Sequence, residues 1–389
     1  MVQGRSDAVE GGRIRYGMVG GGQGAFIGAV HRLAARMDDQ YELVAGALSS
    51  SPKRALESAR ELGLDPARSY RSYEEMAEKE AKRPDGIEAV SIVTPNHMHY
   101  PVAKAFLKAG INVICDKPMT LTVKEAKELV ALTRKTGLVF AVTHNYTAYP
   151  MLRQAREMVR EGLLGDIRVV QAEYAQDWLT NPIEREGSKQ ASWRTDPKKS
   201  GAGGSIGDIG THAYNAACFV TGLTLDSLCA DLATMVKGRK LDDNDSILLR
   251  WKGGARGMLW ASQIAVGKEN GLMLRVYGSK AGLEWRQEDP NYLWYSVLGE
   301  PPRLITRGGH GSGAAAARVT RVPAGHPEGY LDGFATLYTE IARALRARRD
   351  GSPVDPDVYF PTVEDGLVGM EFIEAAVASS KKGAVWVKV

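Results

Sequence analysis

The chain has 389 residues, 44% of them hydrophobic and 25% charged, with a formal net charge of +4. That length exceeds one ordinary core and predicts two or three domains of a water-soluble globular protein. The small charge without a basic block excludes a nucleic-acid footprint, no run approaches the ~20 apolar residues of a membrane helix, and the three cysteines (Cys115, Cys218, Cys229) lack metal-ligand spacing and suit reduced thiols in a cytoplasm, with no metal expected.

Met1 to Arg13 is polar and glycine-containing, has no signal-peptide apolar segment, and is expected to be a disordered leader. Ile14 to Val19 reads as a strand running into Gly20-Gly21-Gly22-Gln23-Gly24-Ala25-Phe26-Ile27-Gly28, with a helix from about Ala29 to Met37. Strand, glycine turn and helix form the context of a dinucleotide fingerprint, in which glycines let the backbone approach a pyrophosphate. Gly20, Gly22, Gln23 and Gly28 are the candidate cofactor residues. Gly20 and Gly22 fit G-x-G; the third glycine is either displaced to Gly28 by a longer loop or replaced by Ala25.

Tyr41 to Leu48 is the next strand. No acidic residue follows it to hold a ribose 2′-hydroxyl; Ser49, Ser50, Ser51, Lys53 and Arg54 follow instead. Hydroxyls with cations suit a 2′-phosphate, so NADP is favoured slightly over NAD, with Ser49 and Arg54 as contacts. An ordinary capped helix start explains the same residues. Helices are expected over Ala55 to Leu62 and Ser72 to Lys82, then a buried strand, Ala89 to Val93, ending in Thr94-Pro95-Asn96-His97-Met98-His99. A helix from Tyr100 to Lys108 leads to the apolar run Ile111 to Ile114, which delivers Asp116, Lys117 and Pro118 to a strand end. A lysine there can hold an alcohol oxygen and take part in proton transfer. A helix, Val123 to Thr136, and a strand, Leu138 to Val142, close this region at Thr143-His144-Asn145-Tyr146. The alternation predicts a doubly wound parallel α/β sheet over residues 13–146, with its strand ends facing one crevice.

After Tyr149-Pro150 the pattern changes. A helix (Leu152 to Glu161) and an alternating strand (Ile167 to Ala175) precede a loop carrying Gln176-Asp177-Trp178 and Trp193-Arg194. Ile206 to Asn215 then enters a helix that continues to Val220. Asp208 and His212, four apart, share one face of such a helix, and a carboxylate beside a histidine can fix its tautomer. A helix-start aspartate with a satisfied histidine is the plainer alternative. Ser227 to Met235, Ser246 to Trp251, Arg256 to Ile264 and Leu272 to Gly278 read as successive strands, predicting a large antiparallel or mixed sheet in a second domain, 147–389. Glu288 to Gly313 gives no clear element. Gly325-His326-Pro327-Glu328-Gly329-Tyr330 precedes a helix, Leu331 to Arg348, with His326 either returning to the site or lying in a turn. A last helix, Val363 to Ser380, is expected to pack back on the first domain.

The glycine loop, Thr94 to His99, Cys115-Asp116-Lys117-Pro118 and Gly207 to His212, in this order, resemble the Gfo/Idh/MocA (glucose–fructose oxidoreductase and inositol dehydrogenase) family across roughly residues 13 to 389. The resemblance implies a Rossmann domain, a second α/β domain with a large open sheet often used to oligomerise as dimer or tetramer, and hydride transfer between NAD or NADP and a ring hydroxyl of a sugar or cyclitol. It implies that Lys117 binds the reacting oxygen and the cofactor ribose, His212 is the general base and Asp208 positions substrate. Thr94, Pro95, Asn96 and His99 would line the nicotinamide side. Tyr146, Asp177, Trp178, Trp193, Arg194 and His326 are the expected substrate contacts, and the stretches around 176–178, 193–194 and 325–330 resemble members acting on glucose-type sugars and anhydrosugars, some oxidising C3. Asp116 stands where the family has glutamate, the glycine loop is longer than usual, and Asn215 replaces a frequent acid. An NAD-dependent glycosidase of the same fold and a non-enzymatic cofactor-binding sensor are the competing readings.

Overall fold

A computed structural model describes residues 12–389; residues 1–11, most of the expected leader, lie outside it. The chain runs β1 (Ile14–Gly20), α1 (Phe26–Met37), β2 (Tyr41–Ala47), α2 (Pro52–Glu61), α3 (Tyr73–Lys82), β3 (Ala89–Val93), α4 (His99–Lys108), β4 (Asn112–Cys115), α5 (Val123–Thr136) and β5 (Phe140–Val142). It continues with α6 (Pro150–Arg160), β6 (Ile167–Ala175), α7 (Lys189–Arg194), α8 (Pro197–Ser200), a π-helical turn (Ile206–Gly210), α9 (Thr211–Thr221), β7 (Leu225–Ala233), β8 (Asn244–Trp251), β9 (Arg256–Ser262) and β10 (Gly271–Gly278). Then come β11 (Ala281–Arg286), β12 (Tyr292–Val297), β13 (Arg303–Thr306), α10 (Ala314–Ala317), α11 (Tyr330–Asp350), α12 (Val363–Lys381) and β14 (Val387–Lys388). Two compact units result: residues up to Asn145 with Tyr330–Leu367, and Tyr146–Gly329 with Val368–Val389.

The first unit is built on a five-stranded parallel sheet of order β2-β1-β3-β4-β5. Strand order reverses between β1 and β3, and such a switch point opens a ligand crevice at the strands' C-terminal ends. β3 is buried at every residue, which explains why it is apolar apart from Ser91. The ends of α5 follow directly from sequence: Thr122 and Glu125 form a reciprocal capping box, and Gly137 closes the helix in the left-handed conformation. The sequence returned only the last helix to this domain. The unit instead takes all of α11 and only the start of α12. Tyr338 and Phe334 of α11 pack their rings on His31 of α1, and Tyr338 also meets Tyr41 of β2, so α11 covers apolar surface that no crossover helix reaches.

The second unit carries a nine-stranded sheet, β13-β12-β11-β10-β6-β9-β8-β7-β14, antiparallel except for the central parallel pair β6–β9. The unassigned stretch after Glu288 supplies β12 and β13. One face is packed by α6 and α9. On the other, a single cross-strand row runs Leu248, Met258, Gln171, Arg275, Glu284, Trp294, Leu304. Its outer members are open, at 51% (Leu248), 46% (Met258), 45% (Trp294) and 43% (Leu304) exposure, while Arg275 pairs with Glu173 and Glu284 in the middle. Among the described residues no helix is long and apolar enough to cross a membrane.

Candidate active site

In the first unit the glycine loop lies at the switch point between β1 and β3. Gly20 and Gly21 take left-handed backbone (φ +81° and +71°). A side chain at Gly20 would sit 2.9 Å from the Val93 carbonyl, and one at Gly22 2.6 Å from Ser58 Oγ and 2.7 Å from the Leu48 carbonyl. The third glycine is Gly28, already inside α1: a Cβ there would fall 2.4 Å from Gly21 Cα. The loop is therefore lengthened, and α1 starts at Phe26 rather than Ala29. Arg32 donates to the Gly21 carbonyl at 2.7 Å, and the Gln23 side chain reaches Glu61 on α2. A nicotinamide dinucleotide fits these residues on two grounds: the glycines themselves add no side chain to the turn, and the buried Thr94 Oγ1 beside it has no hydrogen-bond partner among the described residues.

At the ends of β4 and β5 stand Asp116, Lys117 and His144. The Lys117–Pro118 peptide is cis. Asp116 Oδ1 accepts from Thr143 Oγ1 at 2.5 Å and meets His31 Nε2 at 3.3 Å. Burial alone would raise the Asp116 carboxyl, but His31 and the bonds from His31 and Thr143 hold it below the usual carboxylate range. His144 is pushed down to about 3 by burial and then by the Lys117 charge, so its ring is neutral. His99 is also lowered by burial; its ring nitrogens face the Pro118 and Thr94 carbonyls at 2.8 and 2.9 Å. Carbonyls only accept, so a neutral His99 donates to one of them at a time, and it ties the Thr94 and Pro118 turns together. Asn96 is buried in the turn after Pro95. Ser49 Oγ accepts from the Ser51 backbone at 3.2 Å, and Lys53 and Arg54 are exposed on the first turn of α2.

In the second unit Asp208 lies within the π-helical turn, and His212 lies in the first turn of α9. Asp208 Oδ2 accepts from Gln263 Nε2 at 2.8 Å and Arg194 Nε at 3.1 Å. Arg194 lies over the Trp193 ring at 4.1 Å and the Trp178 ring at 5.8 Å, and Gln190 Oε1 accepts from it at 2.6 Å. His212 is packed edge-on by Tyr146 (4.9 Å between rings), with Tyr174 at 6.1 Å. Tyr174 donates to Asn270 Oδ1 at 2.7 Å, so in the 2.6 Å contact between the phenols it is Tyr146 that donates. Burial raises the Tyr146 phenol despite these bonds, which keeps it protonated.

Within this unit these contacts form two groups, Asp208 with Arg194, Trp178 and Trp193, and His212 with Tyr146, carried four residues apart by the π-helical turn and the start of α9. Asp177 instead anchors the Gly267 backbone at 3.1 Å. His326 is exposed, with its carbonyl held by Arg307. Sequence reasoning missed Gln263, Tyr174 and Asn270, which sit at strand ends and belong to no motif. A buried glutamine directly after a strand was the only available signal for Gln263. Among the described residues no group of three or more His, Cys, Asp or Glu could hold a metal ion.

Comparison with known proteins matches residues 14–144 to the model "Oxidoreductase family, NAD-binding Rossmann fold" and residues 152–284 to "GFO/IDH/MocA C-terminal domain". The chain is 57% identical to an oxidoreductase from Sinorhizobium meliloti (TM-score 0.88, covering 97% of this chain and 99% of that one). It is 37% identical to an inositol dehydrogenase homolog from Azotobacter vinelandii, solved with NAD+ (TM-score 0.94, 97% and 98% covered) and also with NADH and myo-inositol. Levoglucosan dehydrogenase from Pseudarthrobacter phenanthrenivorans is 28% identical over 305 residues, 71% of this chain and 74% of that protein.

The depressed His144 sets a stability prediction. An unfolded histidine binds a proton near pH 6.5, whereas the native ring refuses it until about 3. Stability therefore falls as pH drops through that window, by up to about 1.4 kcal/mol per pH unit. His144→Asn is expected to flatten the decline of the urea midpoint between about pH 6.5 and 4 relative to wild type; an unchanged slope refutes the assignment.

Proposed function

Because the chain belongs to the Gfo/Idh/MocA oxidoreductase family, we propose that it is a nicotinamide-dependent dehydrogenase of a ring hydroxyl on a cyclitol, monosaccharide, glycoside or anhydrosugar. The observation that carries this reading is the cluster around His212 and Asp208, where aromatic walls stand beside fixed amide, guanidinium and phenol groups. Such a mixture suits a ring that is apolar on its C–H face and lined with hydroxyls at its edge. Support comes from the Azotobacter vinelandii homolog, whose structure holds myo-inositol, and from levoglucosan dehydrogenase.

In this mechanism the bound nicotinamide supplies the hydride acceptor. His212 takes the proton of the reacting hydroxyl, its ring steadied by Tyr146 and Tyr174. Lys117 stabilises negative charge as it develops on that oxygen. Asp208, held by Arg194 and Gln263, accepts a hydrogen bond from a ring hydroxyl, and Trp178 and Trp193 offer an apolar wall. His326 and Asp177 act at the rim.

The reading extends to the cofactor and the assembly. Ser49 and the exposed Arg54, with no carboxylate after β2, favour acceptance of NADP alongside the NAD seen in the relative. The open row from Leu248 to Leu304 favours self-association through the sheet face.

Purified protein given NAD or NADP and a panel of inositols, sugars and anhydrosugars should form reduced nicotinamide with at least one substrate. Lys117→Ala and His212→Ala should each lower kcat/KM on it by at least about 10²-fold. Full turnover in either variant removes that residue from the mechanism. Arg54→Ala should raise KM for NADP by about tenfold and leave NAD within about twofold; equal effects on both argue against a 2′-phosphate contact. In light scattering, wild type should exceed the monomer mass and Leu248→Arg with Met258→Arg should reduce it, whereas a monomeric wild type ends the assembly reading.

A further inference from the structure

The first unit holds a buried polar chain that the proposed chemistry does not use. Its members come from four elements: Ser91 on β3, Tyr338 on α11, His31 on α1, and Asp116 just after β4. The Tyr338 hydroxyl lies 2.5 Å from Ser91 Oγ and 2.8 Å from His31 Nδ1, and His31 Nε2 lies 3.3 Å from Asp116 Oδ1. His31 and Ser91 are fully buried. Tyr338 edge-on and Phe334 tilted against the His31 ring leave it no room to turn.

Hydrogen-bond chemistry gives the chain a direction. A carboxylate only accepts, so His31 Nε2 donates to Asp116. In the neutral imidazole Nδ1 then accepts, Tyr338 donates to it, and Ser91 donates to Tyr338. The series ends on Asp116 Oδ1, where Thr143 also donates. Oδ2 receives no donor among the described residues, and the side chain keeps 15% exposure at the crevice end of the sheet, next to Lys117. One oxygen is clamped inward and the other is left for a ligand.

We infer that His31 is a positioning residue, clamping Asp116 Oδ1 so that Oδ2 stays available to accept a hydrogen bond from a hydroxyl of the bound cofactor. The inference rests on the reading that the first unit binds a nicotinamide cofactor. Nothing in the glycine-loop contacts requires a histidine at this position. A leucine would fill the same space in a helix whose inner face is otherwise apolar or small.

The ionisable groups facing Asp116 are His31 on α1, His99 on α4, Cys115 and Lys117 on its own segment, His144 after β5 and Tyr338 on α11. Burial keeps His99 and His144 neutral and raises Cys115 and Tyr338, so those four do not change charge in mildly acidic solution. Without the His31 donor, burial dominates and the Asp116 carboxyl rises. The acceptor is then lost as pH falls through the raised value.

The experiment is NADH and NADPH binding to the full chain, read by nicotinamide fluorescence between about pH 5 and 8. His31→Leu should lose affinity by about tenfold or more at the acid end, relative to its own value at the alkaline end, while wild type changes by less than about twofold. His31→Gln, which restores a side-chain N–H toward Asp116, should recover the wild-type profile. Tyr338→Phe, which removes one oxygen, should show a smaller acid loss and serves if His31→Leu does not fold. Profiles for His31→Leu and Tyr338→Phe that match wild type, or a His31→Gln profile no better than His31→Leu, overturn the clamp. Asp116→Asn separates the premise: if it leaves affinity unchanged at every pH, the cofactor contact itself is wrong, whatever His31 does.

Discussion

The first unit depends on the meeting of two backbones. Gly21, at the end of β1, and Gly28, in the first turn of α1, approach so closely that a Cβ on Gly28 would lie 2.4 Å from Gly21 Cα and 2.5 Å from its carbonyl. Neither neighbour is a side chain that can swing away, so the contact admits only glycine. It brings α1 down onto the strand end, leaves the loop between them free to cover an anion, and sets the helix phase. One turn further, that phase delivers His31 to the sheet interior, where it meets Tyr338 and Asp116. The cofactor loop and the Asp116 end of β4 are thus coupled in two steps, a glycine–glycine backbone contact that sets α1 and the His31 side chain that α1 carries to Asp116.

The second unit uses the same two devices, a close glycine and a buried acid, to fix a different segment. A Cβ on Gly204 would fall 2.0 Å from the Asp242 carbonyl oxygen, and the Asp242 carboxylate accepts from the Gly204 and Ile206 backbone at 2.7 and 2.9 Å. Ser205 bridges to Asp245, whose carboxyl is pushed well above the usual range by burial and then by Asp242. These bonds grip the entry to the π-helical turn that carries Asp208 and leads to His212. A widened turn has weaker hydrogen bonding of its own, and π-bulges recur at functional positions for lack of any other gain. Here the loop before β8 supplies the missing hold, while Gln263, just after β9, and Arg194, on α7, take the Asp208 oxygen.

Much of this was legible in the chain. The capping box at Thr122 and Glu125, the apolar run of β3 and the alternation of β6 each specify their element through local physics, and all three lie where the residues place them. The motifs gave Asp208, His212 and Arg194 because those residues sit in recognisable strings. Other features depend on partners distant in sequence. α1 begins at Phe26, inside what reads as a glycine loop, because Gly28 has a partner only in three dimensions. β12 and β13 escape notice because Pro301, Pro302 and flanking glycines break the pattern, and their pairing with β11 is what makes them strands. Gln263, Tyr174 and Asn270 occupy ordinary strand-end positions. His31 is visible only as a polar residue on the buried face of an amphipathic helix, a position that demands a partner without naming it.

The placement of α11 in the first unit fixes an order of events during synthesis. His31 and Tyr338 are 307 residues apart, and every strand of the first sheet leaves the ribosome before α11 exists. Until then, the His31 side of α1 lacks the Phe334 and Tyr338 rings that cover it. The second unit is delayed as well, since β6 pairs with β9 and β10 and both come long after it. Neither unit can finish before the segments after Gly329 are made, since α11 completes the first and β14 pairs with β7 in the second. Long-range pairing of this kind slows folding and prolongs the exposure of sticky surface. The burden on whatever shields nascent chains therefore falls on both units together rather than on one domain at a time.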